Sequence, residues 1–168
     1  MNEEQIIRRD RMRFKNNKTS ANLVLLAILL DVLYFVNIYQ NDADTYYYQY
    51  MIGVSIIYNL IFMLSAFLSE EGVKNYKKNY SIPLVVLGVI QIVRIFILPM
   101  SAHPTERDGA LVMGNGQFIY QVVLLVLSAV CLVGSAVVNS TKCGALDAHM
   151  KMLAEQDTGR VSPSKVST

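Results

Sequence analysis

Tryptophan is absent, cysteine occurs twice, proline occurs four times, and only 17% of the 168 residues are charged. Each shortage excludes something. Two cysteines, Cys131 and Cys143, cannot build the disulfide framework of a small secreted domain. Few prolines leave long stretches free to be helical. Pro83 falls in the first turn of an apolar run, where a missing N–H costs little, and Pro99 lies near the end of the same run. Soluble domains are about a quarter charged, so the missing charge says more than the 53% hydrophobic content or the mean hydropathy of +0.34. There is no H-E-x-x-H, no G-x-S-x-G, no P-loop and no c-type haem signature, so no catalytic motif or cofactor is expected and the chain reads as a non-enzyme.

What is present is four uncharged or nearly uncharged runs at residues 21–39, 50–68, 82–100 and 118–138. Each is long enough, at 1.5 Å per residue, to cross a hydrocarbon core of about 30 Å. Lipid offers backbone groups no partners, so such runs must be helices. The first run is too long for the apolar core of a signal peptide and no small-x-small cleavage site follows it, so it reads as a retained anchor. Tyr46, Tyr47, Tyr48 and Tyr50 take the interfacial role that tryptophan often fills.

The basic residues set an orientation. Of the 15 lysines and arginines, 13 lie in the N-terminal segment, in the loop carrying Lys74, Lys77 and Lys78, or in the C-terminal tail. Arg107 alone falls in the loops of the other side, and Arg94 lies inside a run. Lysine and arginine concentrate on the cytoplasmic side, so both ends are expected there. This topology explains the net charge of +2 and pI near 8.5 without nucleic acid. The chain therefore divides into a basic cytoplasmic segment (1–20), a transmembrane domain (21–139) and a cytoplasmic tail (140–168). The expected fold is all-α, a transmembrane bundle of two α-hairpins. A short amphipathic helix follows over residues 145–156, through Leu146, Met150 and Leu153, and from about residue 157 the tail is expected to be disordered. The expected location is the plasma membrane.

A weaker pattern runs at an offset of 61–63 residues. It pairs Leu23 with Leu84, Val32 with Val93 and Phe35 with Phe96, and repeats Leu64-Ser65-Ala66 as Leu127-Ser128-Ala129. An internal duplication would produce it, as would chance matching of apolar segments.

Candidate functional residues are the polar groups inside the runs. Asp31 lies roughly 15 Å from the cytoplasmic end of the first helix and Arg94 roughly 19 Å from that of the third. An isolated charge at that depth costs at least about 2.5–3.5 kcal/mol, so opposite signs at nearby depths predict a pair, with Arg94 reaching back toward the centre. Asn59, Gln91 and Ser128 fall at the same level, one polar layer to which every helix contributes. Helical spacing places Ala27, Asp31, Tyr34 and Asn41 on one face, Tyr48, Ile52, Ser55, Asn59, Met63 and Ala66 on another, and Gln121, Ser128 and Ser135 on a third.

The layer has several readings: hydrogen-bonding glue within the chain, charge recognition of another subunit, a transport or channel site, or an Arg94 that simply snorkels to the surface. Glue and subunit contact together rank first, which points to an accessory subunit or homo-oligomer with a membrane-protein partner or a second copy. Transport ranks second. Arg8, Arg9, Arg11 and Arg13 in the N-terminal segment are first a topology signal and second a site for anionic lipid. His103, Glu106 and Asp108 form a short string that lacks the second cluster a metal site needs, so no metal is expected. The sequons at Asn17 and Asn139 would face the cytoplasm and carry no glycan.

Overall fold

The computed structural model describes residues 16–39, 46–103, 106–107, 110–111 and 113–160. It is all-helical apart from a two-residue antiparallel ladder that pairs Glu106 with Leu111 and Arg107 with Ala110. We number the elements α1 (Lys18–Tyr39), α2 (Tyr46–Lys74), a 3₁₀ turn (Lys78–Tyr80), α3 (Ser81–Arg94), α4 (Pro99–Ala102), β1 (Glu106–Arg107), β2 (Ala110–Leu111) and α5 (Asn115–Arg160). Four segments are long and apolar enough to cross a membrane: Lys18–Tyr39, Gln49–Lys74, Lys78–Ala102 and Asn115–Leu153. The chain is thus a multi-pass membrane protein by length and composition.

Buried positions repeat at alternating spacings of three and four residues. On α1 the stripe runs through Ser20, Val24, Ala27, Asp31, Tyr34 and Ile38, with Ala21 beside it; on α5 it runs through Gln121, Leu125, Ser128, Leu132, Ser135, Asn139 and Cys143, with Leu124, Ala129 and Ala136 beside it. Such a period suits the seam of a left-handed helical bundle. Large apolar side chains such as Leu60, Leu64, Val89 and Val130 face outward, as lipid-facing residues do. On α2 the seam runs Ser55, Asn59, Phe62, Ala66. Met63, expected to face inward, is 40% exposed, and its neighbour Phe62 is fully buried instead. A step of three after Asn59 rather than four keeps the stripe from drifting round the helix.

The helices pack unequally. α5 lies along both α1 and α3, and α1 also packs on α2, whereas α2 meets α3 only lightly. Only 22% of the apolar window of α2 is buried, against 33, 39 and 44% for the other three. Two hairpins packed about a two-fold axis would make the α2–α3 contact resemble the α1–α5 contact. It does not.

Two local features shape the ends. α2 closes with the Lys77 amide on Gly72 O at 3.1 Å and the Tyr76 amide on Val73 O at 3.2 Å, a Schellman turn. Tyr76 occupies its left-handed position at φ 57°, where glycine is usual. The turn folds the Tyr80 ring onto Gly72 so closely that a Cβ there would lie 2.2 Å from Tyr80 Cγ. At the far end of α3, Pro99 supplies no N–H and crowds the carbonyl of Ile95. The backbone tightens after Ile92, with amides 95, 96 and 97 bonding three residues back, and Met100 N takes Ile95 O at 3.2 Å. The third apolar run is therefore broken just after Arg94, which the position of Pro99 near its end did not announce.

α5 is a single helix of 46 residues. The helix expected over residues 145–156 is its continuation rather than a separate element. Residues 157–160, expected to begin an irregular tail, are helical. No breaker separates Asn139 from Arg160 except Gly144 and, at the very end, Gly159, and an isolated glycine costs a helix only about 1 kcal/mol. The expectations for Asn41, Asp108, the arginines at 8, 9, 11 and 13, and residues 161–168 lie outside the described residues.

Candidate functional site in the central polar layer

Asp31 is thirteen residues past Lys18, the first residue of α1, and Arg94 is thirteen past Ser81, the first of α3. Both backbones therefore stand roughly 20 Å from the same end of the bundle, and Arg94 has no distance to reach back. The Arg94 guanidinium donates from Nη1 to Asp31 Oδ1, and also to Gln91 Oε1 at 2.9 Å. From Nη2 it donates to Asn59 Oδ1 at 2.8 Å and, at the 3.5 Å limit, to Ser55 Oγ. Gln91 Nε2 donates to Asp31 Oδ1 at 2.8 Å and to Ser128 Oγ at 3.4 Å, and the Ser128 hydroxyl donates to Ala27 O at 3.1 Å. One chain of polar contacts thus passes from α5 through α3 and α1 to α2, and it contains Asp31, Asn59, Gln91, Arg94 and Ser128.

Two tyrosines complete the surroundings of the cation. The Arg94 Cζ lies 4.7 Å from the ring centroid of Tyr34 and 4.4 Å from that of Tyr58, within range of cation–π attraction. Tyr34 and Ser55 were on faces that helical spacing marked as inward. Tyr58 was not, because it lies beside the α2 stripe rather than on it. Asp31 is 1% exposed and Arg94 6%, so the guanidinium does not snorkel.

The layer is not saturated. Asp31 takes both its bonds on Oδ1, and Asp31 Oδ2, Asn59 Nδ2 and the Tyr58 hydroxyl have no hydrogen-bond partner among the described residues. Buried polar atoms are nearly always paired in native structures, so these three are the chemically open positions of the layer.

A second network, which sequence reasoning missed, closes the end of the bundle near Lys74, Lys78 and Lys142. Asn17 caps α1, its Oδ1 receiving the Ser20 amide at 3.4 Å. Asn17 Nδ2 donates to Asn139 Oδ1 at 3.2 Å, and Asn139 Nδ2 donates to Ser81 Oγ at 2.9 Å and Lys77 O at 3.2 Å. The Ser20 and Ser135 hydroxyls meet at 2.6 Å, and the Lys142 ammonium donates to Asn17 Oδ1 at 3.0 Å. The asparagines of both sequons are thus fully buried and bonded to each other. In the sequence they stand out only as sequons at the edges of apolar runs.

In the loop between α3 and α5, His103 Nδ1 lies 3.1 Å from Met113 O and the ring stacks on Phe118 at 4.6 Å. Among the described residues no group of three histidine, cysteine, aspartate or glutamate side chains is placed to hold a metal. Comparison of the chain with protein-family models, with curated proteins and with solved structures finds no match.

Proposed function

We propose that this is a non-enzymatic protein of the plasma membrane that crosses it as two α-hairpins with both ends cytoplasmic. On this reading it works by helix association, as an accessory or assembly subunit or as a homo-oligomer. The orientation rests on the flanking lysines and arginines. The observation that carries the association reading is an uncovered apolar stripe on α5. Leu146, Met150 and Leu153 continue the buried seam of α5 past Cys143, and Met150 and Leu153 are exposed there. On the cytoplasmic side that stripe meets water, and a contiguous exposed apolar surface marks an interaction site.

The Asp31–Arg94 contact has a different role: an intramembrane ion pair that braces the bundle. Its groups are spent within one chain, so charge recognition of a neighbouring subunit is the weaker reading. Cysteine placed at Met150, cross-linked with a short bismaleimide in native membranes, tests the association. The expected result is an adduct of at least twice the chain mass that disappears when Leu146 and Leu153 are changed to lysine. A chain that stays uncross-linked overturns it.

A second reading, a small transporter or channel built on the layer, is favoured by one observation: Asp31 Oδ2 and Asn59 Nδ2 are buried without partners. Proteoliposomes separate the two readings. Ion or proton flux that Asp31→Asn abolishes supports transport, and flux unchanged by that substitution removes it.

A further inference from the structure

A crevice runs along the outer side of the α3–α5 contact. Next to the start of α3 it is a hollow of about 460 Å³ walled by Ile82, Val85 and Val137. It continues toward the central layer as a hollow of about 500 Å³ walled by Val89, Val130 and Val133. The helices come close at Gly88, where a Cβ would lie 3.0 Å from Val133 Cγ2 and 3.4 Å from Ala129 O, so little side chain fills the floor. All six wall residues are exposed. In a chain that crosses the bilayer four times they meet hydrocarbon.

Length and polarity identify the occupant. From Ile82 to Ile92, the last α3 residue on its wall, the crevice rises by about 15 Å. That is half of a hydrocarbon core of about 30 Å, and Ile92 stands beside Gln91 at the level of the central layer. The crevice therefore serves one leaflet only. A partner's spanning helix would pack through both leaflets, whereas one acyl chain reaches from the interface to the midplane. The lining agrees, being apolar except for Ser81, Ser140 and Thr141 at the open end. Their hydroxyls are engaged within the chain: Ser140 donates to Ser81 Oγ at 3.3 Å and Thr141 to Val137 O at 3.1 Å. They mark where hydrocarbon gives way to headgroups.

The charge at that end selects the headgroup. Lys78 opens the 3₁₀ turn, and its carbonyl receives the Ser81 amide, so it stands one turn before the crevice. Lys77 precedes it, with its ammonium 6.0 Å from the Tyr80 ring centroid. Both are exposed, and neither is salt-bridged among the described residues. The other cations nearby are occupied: Lys74 holds Glu71 at 2.9 Å, and Lys142 holds Asn17 and Thr19 at 3.0 and 3.1 Å. Basic residues beside a leaflet attract anionic lipid. We propose that the α3–α5 crevice binds one acyl chain of an anionic phospholipid of the cytoplasmic leaflet, its phosphate held by Lys77 and Lys78. The proposal rests on the four-crossing reading with cytoplasmic ends.

The absence of tryptophan supplies the assay, because one introduced tryptophan is then the sole reporter. Val130→Trp puts it on the crevice wall and Leu60→Trp on the outer face of α2. Both positions are exposed and lie within two residues of Ser128 or Asn59, at like depth. The full chain is reconstituted in phosphatidylcholine vesicles containing a rising fraction of phosphatidylglycerol with brominated chains, which quenches tryptophan on contact; brominated phosphatidylcholine is the reference. The expected result is a preference for the anionic lipid of at least about threefold in Val130→Trp and none in Leu60→Trp. Adding Lys77→Gln and Lys78→Gln is expected to abolish the preference. Adding Lys151→Gln and Arg160→Gln, which removes the same charge from the end of α5, is expected to leave it.

A preference that survives Lys77→Gln with Lys78→Gln, or that falls as far with Lys151→Gln and Arg160→Gln, overturns the site. Equal quenching by both lipids at both positions removes the crevice site alone and leaves the four-crossing reading standing. Quenching at neither position means that these faces do not meet hydrocarbon, and the four-crossing reading falls together with the proposal.

Discussion

Replacing Arg94 by glutamine removes the donors to Asp31 Oδ1, Gln91 Oε1 and Asn59 Oδ1 in one step. Asp31 is then left 1% exposed, with Gln91 Nε2 as its remaining donor. Breaking a buried pair by removing one partner costs about 3–5 kcal/mol. The shorter amide of glutamine keeps some donor capacity, so the expected loss is about 3 kcal/mol, at the low end of that range. Asp31→Asn leaves the Arg94 cation with Gln91, Asn59 and two tyrosine rings, and its expected loss is again about 3 kcal/mol.

Independent effects would add to about 6 kcal/mol. If the two residues are coupled, the double variant loses only neutral hydrogen bonds, worth about 0.6 kcal/mol each in a membrane. Its total then stays near or below 3 kcal/mol, a coupling of about 3 kcal/mol. The chain carries its own reporter. The Cys143 thiol is 3% exposed and donates to Tyr76 O, so a fluorogenic maleimide reaches it as the fold opens. Cys131→Ala leaves that single probe for titration with SDS in mixed micelles. A double variant whose loss equals the sum of the singles within about 0.5 kcal/mol would falsify the pairing.

Three further outcomes follow from local geometry. Gly72→Ala puts a Cβ into the Tyr80 ring and is expected to destabilise by about 1–3 kcal/mol; adding Tyr80→Ala should recover most of the loss in the same titration. Tyr76→Gly is expected to be more stable than Tyr76→Ala by about 1–2 kcal/mol, because both remove the ring and only glycine removes the left-handed strain; equal midpoints would mean that φ at this position is unstrained. Asn139→Ala strands Asn17 Nδ2, takes a donor from Lys77 O and leaves the Ser81 hydroxyl only the Ser140 contact at 3.3 Å, costs about 2 kcal/mol, and should speed Cys143 labelling below the unfolding transition, since the thiol lies one turn away and 3.7 Å from Asn139 Oδ1.

The helices and their approximate limits were legible because a run of some twenty apolar residues without charge is rare outside a membrane span. Asp31 and Arg94 stood out for the same reason, as the only charges inside those runs. What they touch was harder to read. Periodicity marks a face to within about one position, so Asn59 stood out from Leu60 only by its polarity, while nothing separated Phe62 from Met63 or Tyr58 from its neighbours. The tightened turn after Arg94 comes from the carbonyl that Pro99 crowds four residues back, a local backbone effect that a hydropathy pattern does not carry. The Asn17–Asn139 network was hidden because short polar residues at the edge of an apolar run serve equally well as caps, turns or loops. The long α5 was hidden because nothing in residues 140–160 marks where a membrane ends and a solvated helix goes on.

α5 is about 69 Å long, more than twice the thickness of a hydrocarbon core. Ser128 in the central layer and Met150 on the uncovered stripe are two marks on one rod, 22 residues and about 33 Å apart. A tilt of about 5° pivoting at Ser128 would carry Met150 sideways by about 3 Å, more than half the pitch of the helix. Between those marks the rod is also held at Ser135, Asn139 and Cys143, so only the stretch beyond Cys143 stands clear of the bundle contacts described above.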